Sequence, residues 1–328
     1  MDDTDGRDHS DLDGLSLSDA VAAVDDDATD DETVRETLAI VADDGVVARS
    51  AVDDAVGNAS QVLTTVETRV ELAAAALADA RESAEPVSEL DIVTARLDDF
   101  AAELDLLEER TTEVGERLQR VVDRTSDGDL YDLARDIRRV TETATELQRA
   151  ADDLQLELEE FEQWLDSPAR RHEELTEDVG ALDESLADLE AVVDGIAADE
   201  AAADEDGDAA EGADSGDRDA ATVWADATVR HRVTDLLLAD LRSELSTLAE
   251  WADREGAAPP TDAERRLDEV ATRHDTLGRR LVDLAEPAWQ TRHGDSLAAV
   301  NDALDGMEPP VAWGEVEAIV EEHAPTDE

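Results

Sequence analysis

Apolar residues recur along most of this chain at alternating gaps of three and four. The stretch from 130 to 166 shows the pattern without a slip: Leu130, Leu133, Ile137, Val140, Ala144, Leu147, Ala151, Leu154, Leu158, Phe161 and Leu165. That spacing draws a single stripe along one face of an α-helix. Three other segments carry the same seam. The first runs from Val52 through Val56, Ala59 and Leu63 to Ala84. The second runs from Leu90 to Val121, interrupted only by Thr111, and the fourth from His172 to Ile196. "EPVS" at Pro86, "SDGD" at 126–129 and "DSP" at 166–168 separate the four. Ser167 and Pro168 read as an N-cap and a first helical residue.

Each segment holds roughly 30–38 residues, or about 45–57 Å of helix. Connections of a few residues force successive helices to run antiparallel. A strict seven-residue repeat favours left-handed supercoiling. The pattern therefore predicts an all-α fold: an elongated antiparallel four-helix bundle or coiled coil over 50–197. Completion of the same seams by a second copy, as a homo-oligomer, is the alternative.

The flanks are organised differently. Residues 1–17 are acidic and read as a disordered tail. Residues 18–49 read as a short helical subdomain, with a helix starting near Ser18 and a second ending at Gly45. Ser50 reads as the N-cap of the first long helix. Residues 198–220 have no apolar period and read as a disordered acidic linker. A smaller C-terminal helical domain is expected over 221–325. In it Val229, Val233, Leu237, Leu241, Leu245, Leu248 and Trp251 mark one helix. Thr261 and Glu264 suggest a capping box at the start of the next, which Pro287 should end. Two shorter helices are expected near 295–306 and 314–323.

Charge changes the picture of the solvent. The 328 residues carry 90 acids against 27 bases, a formal net charge of −63. Every base is an arginine; there is no lysine. In dilute buffer such self-repulsion opposes compaction, whereas in molar salt the Debye length falls to about 3 Å. A chain patterned for a core and this acidic points to a salt-rich cytoplasm. Basic patches for a phosphate backbone are missing, so no nucleic-acid partner is expected. No apolar run approaches the ~20 residues of a membrane span, so no membrane partner is expected either. The acidic N-terminus lacks signal-peptide character, and a cytoplasmic location follows as the expectation.

Candidate chemistry is thin. With no cysteine, thiolate metal sites and cysteine nucleophiles are excluded. The six histidines form neither H-E-x-x-H nor E-x-x-H, and no phosphate-binding or nucleophile-elbow motif is present. No catalytic residue, cofactor or metal site is expected. His172 and His274 fall on seam positions and read as core or helix-end residues. The least ordinary segment is "AEPAWQTRHGDSL" (285–297), which gathers Trp289, Arg292 and His293 around an apparent helix break. "VAWG" (311–314) could add Trp313 to the same partner- or ligand-binding surface.

Four stretches, "DGVVARSAVDDA", "TRVELAAAALADARE", "DGDLYDLARDIRRVT" and "RAADDLQLELEEFEQWL", resemble a haloarchaeal family labelled halo transducer protein. The resemblance spans roughly residues 30–195 and implies a role in signal transduction. The expected function is that of a non-enzymatic scaffold or adaptor with protein partners, acting through helix–helix contacts. The alternative is a cytoplasmic sensor with a ligand site inside a helical bundle.

Overall fold

The structure, a computed structural model, describes residues 12–24, 29–205 and 220–323. The fold is all-α. Two short helices, α1 (Leu17–Ala23) and α2 (Asp31–Ala39), precede a two-residue β-hairpin, β1 (Ala42–Asp43) and β2 (Val46–Val47). Eight further helices follow: α3 (Arg49–Ala84), α4 (Asp91–Val122), α5 (Leu130–Asp166), α6 (Pro168–Glu205), α7 (Ala220–Glu255), α8 (Thr261–Leu284), α9 (Pro287–Leu304) and α10 (Trp313–His323).

These elements form two compact units. The first comprises residues up to Ser88 together with Arg96–Glu162; the second comprises Glu89–Ala95 and everything from Gln163 onward. The helices therefore group differently from the expected 50–197 division. Helices α3, α4 and α5 pack in the first unit, while α6 packs on α7 and α8 in the second.

In the first unit the predicted stripes face inward. All eleven seam residues of α5 are buried, as are nine of the ten on α3, where Ala55 replaces Val56. The helices run up, down and up. The start of α3 meets the start of α5, where the Arg49 guanidinium donates to the carbonyls of Thr125 and Gly128. Farther along, the Gln155 amide donates to the Arg69 carbonyl. Antiparallel α4 places Phe100 edge-on to Phe161 of α5, with ring centroids 5.5 Å apart.

The N-terminal subdomain closes one end. Arg138 of α5 reaches α2, donating to the Thr37 hydroxyl and pairing with Glu36. Several local expectations are corrected here. Leu12 is buried and the Asp13 carboxylate accepts from the Arg49 N–H, so the tail is ordered from residue 12. Residues 1–11 lie outside the described residues. Helix α1 is capped by Ser16 and begins before Ser18. Gly45 does not cap α2. With Asp44 (φ 49°) and Gly45 (φ 78°) it makes the tight turn of the β-hairpin, where two positive φ values match strand twist. Helix α3 starts at Arg49, one residue before Ser50, without a side-chain cap.

The second unit repeats the up–down–up plan with α6, α7 and α8. Its electrostatic seam is specific: Arg273 of α8 pairs with Asp183 and Glu190 of α6, and Arg280, two turns on, pairs with Asp194. These pairs give a physical reason for α6 to sit with α8. Helix α7 is enclosed by α6, α8 and α9. Its burial therefore spreads beyond one stripe to Trp224, Leu236 and Leu238. The linker expected from 198 is helical as far as Glu205, and residues 206–219 lie outside the described residues. Helix α8 lacks a capping box; Pro260 precedes it without a side-chain cap. Helix α9 begins at Pro287, eight residues before the expected start at 295.

Candidate functional site

The four residues singled out by the sequence do not gather on one surface. The 285–297 segment is not a break: α9 runs through it from Pro287, which supplies the fixed φ of a first helical turn. Trp289 and His293, one turn apart, are both buried. Trp289 packs on Trp224 of α7 at 5.9 Å, and Trp224 donates its indole N–H to the Leu281 carbonyl. His293 Nε2 is buried without a hydrogen-bond partner among the described residues. Arg292 lies between them in sequence and is exposed. Trp313 is elsewhere: its indole N–H donates to Asp240 of α7 at 3.2 Å. Asp240 lies sixteen residues beyond Trp224 on α7, about 24 Å along the helix.

Trp313 instead lines a cleft of about 600 Å³ between α6, α7 and α10. Its apolar wall comprises Leu189, Val229, Val233, Leu237, Val316 and Val320. Three charged residues also line it: Asp188, Arg230 and Glu317. Asp240 fixes one end, because it accepts from both the Val311 N–H and the Trp313 indole. The size and apolar character match small-molecule sites, which span about 300–1,000 Å³. Of this lining, the α7 seam at Val229, Val233 and Leu237 was visible as helical periodicity. The contributions of α6 and α10 were not, because they depend on which helices meet.

A second feature of the same unit went unseen in the sequence. His231 of α7 and His274 of α8 stack with ring centroids 3.8 Å apart and planes 9° from parallel. Each Nε2 contacts the other residue's carbonyl, at 3.1 and 3.0 Å. A carbonyl can only accept, so both rings carry their proton on Nε2. Burial, with a smaller push from the His274 ring, holds His231 below the ordinary imidazole range against the hydrogen bond to the His274 carbonyl and the weaker pull of Asp235 and Asp275. Gly278 makes the room: a Cβ there would stand 2.7 Å from His231 Nε2.

Arg171 is the third. It is 2% exposed, and its guanidinium lies 3.7 Å over the Trp251 ring. It donates to the Leu165 carbonyl, one that the end of α5 leaves unpaired, and to the Trp164 carbonyl, which also accepts from the Ser167 N–H, and it pairs with Glu255. Burial pulls its pKa below the usual arginine value, with Glu255 opposing. Next to it, His172 is only partly buried, with its pKa lowered by burial and then by the Arg171 charge.

The first unit offers a smaller groove of about 270 Å³ between α4 and α5. Leu107, Val114 and Leu147 form its floor, and Arg110, Glu113, Arg117 and Glu146 stand along it. Among the described residues no group of three or more His, Asp or Glu is arranged to hold a metal ion, and no helix is long and apolar enough to cross a membrane. Comparison with known proteins finds no match to this chain among protein-family models, curated proteins or solved structures.

Proposed function

We propose that the chain is a non-enzymatic helical scaffold or adaptor that holds a partner protein through helix–helix contacts, in signalling within a high-salt cytoplasm. The observation that carries this reading is the α4–α5 groove. Its apolar floor recurs at Leu107 and Val114, one heptad apart, with Leu147 opposite, and Arg110 and Arg117 repeat at the same interval. A surface of that period, edged by Arg110 and Arg117 and by Glu113 and Glu146, suits the apolar stripe of an amphipathic helix with flanks of both charges. The net charge of −63 and the all-arginine basic set support a salt-rich solvent. Affinity capture and light scattering in molar KCl test the reading, using the full chain and an Ala150→Trp variant that blocks the groove. Capture of a partner, or self-association, that the variant abolishes is expected. A monomer whose captured set is unchanged by the variant overturns it.

A second reading, a ligand or signal sensor, is favoured by the α6–α7–α10 cleft, whose volume and apolar lining suit a small molecule.

A further inference from the structure

We propose that the α6–α7–α10 cleft binds an organic ammonium cation with an apolar body; the proposal rests on the sensor reading and names its ligand class. The α7 side of the cleft runs from Val229 to Leu237, about 12 Å of helix. It is long enough for a ligand with a medium-length alkyl chain or a compact ring system.

Charge then selects the head group. Two carboxylates, Asp188 and Glu317, line the cleft against a single guanidinium, Arg230. None of the three has an ion pair among the described residues. An anionic head would meet an excess of like charge. A cation would find an excess of opposite charge within a chain that is itself strongly negative.

Trp313 supplies a further attraction. An indole face is the best aromatic partner for an ammonium group, especially one carrying alkyl substituents. Hydrogen bonding to Asp240 holds the indole in place before any ligand arrives and places a carboxylate at its N–H edge. Molar salt weakens the purely coulombic attraction. Contact with the indole and burial of the apolar body would persist. The site is thus built from interactions that survive a salt-rich solvent.

The test uses the full chain in molar KCl with three probes that share one tail: octyltrimethylammonium, 1-octanol and octanesulfonate. Calorimetry and tryptophan fluorescence read binding. Val233→Phe fills the cleft from α7, and Val320→Phe fills it from α10 should the first variant melt early. Saturable binding of the ammonium probe, lost in the filled variants, is expected. Trp313→Leu should weaken it by about tenfold and leave 1-octanol nearly unaffected. If 1-octanol or the sulfonate binds as tightly, and the filled variants abolish it, the ligand class is wrong while the sensor reading stands. If no probe saturates, or filling the cleft changes nothing, both fall.

Discussion

At the scale of single residues, the second unit turns on a few buried polar groups. Arg171 is the clearest. Removing it strands the Leu165 carbonyl and leaves Glu255 without its partner. Arg171→Ala should cost about 3 kcal/mol, seen as an earlier fluorescence melt. Lysine should not restore it, since one ammonium cannot span two carbonyls and a carboxylate while stacking on Trp251. His231 gives a pH dependence of defined sign. Its folded pKa lies below the unfolded value, so the unfolded chain binds the extra proton. The stability is fully present above about pH 6.5 and is lost as pH falls from there through the folded pKa. The second unit should therefore melt earlier at pH 5.5 than at pH 7.5. His231→Phe, which cannot titrate, should reduce that slope and leave the part due to His172.

At the scale of the element, two helical glycines separate packing from propensity. A Cβ at Gly278 collides with the His231 ring, whereas one at Gly180 meets nothing within 4 Å. Gly278→Ala should destabilise by about 1–3 kcal/mol through overpacking. Gly180→Ala should stabilise by up to about 1 kcal/mol through helix propensity alone. Chemical denaturation followed by circular dichroism distinguishes the two. Elements are also where the sequence was most legible. The α5 seam was read residue for residue, because a helix packed on one side writes its period into its own apolar positions. Helix α7 was read only in part. Neighbours on several sides bury Trp224 and Leu236 as well as Val229, and one stripe no longer describes it. The histidine stack was invisible for a related reason. His231 lies 24 residues before the end of α7, but His274 only 13 residues into α8. The connection at 256–260 supplies an offset that periodicity does not encode. Trp313 likewise looked like a neighbour of Trp289, since proximity in sequence says nothing of which stretch of α7 each one meets.

At the scale of the molecule, all five tryptophans fall in the second unit, including Trp164, which packs edge-on against Trp251. Tryptophan fluorescence consequently reports that unit alone, while circular dichroism reports both. Thermal melts followed by the two probes should diverge if the units unfold separately and coincide if they are coupled. Self-repulsion acts on the whole chain. Lowering the salt to tens of millimolar should collapse its helicity, and full helicity in dilute buffer would overturn the salt-rich reading. Four long seams were legible as four helices of similar length, which invited a single bundle. The arginines that bind α6 to α8 lie some ninety residues further along, and pairing at that distance leaves no local mark.

The division between the units also bears on the order in which the chain can fold as it is made. The first unit has all its residues once Glu162 is synthesised, yet Glu89–Ala95, made earlier, belongs to the second. Glu89 pairs with Arg254, 165 residues later. At about 5–20 residues per second, that segment waits roughly 8–30 s for its partner. By the end of that interval a complete first unit is joined to a second unit that still lacks α8, α9 and α10. The start of α4 is thus made long before the residues it packs against, and the nascent second unit is the stage at which a chaperone would have the most to do.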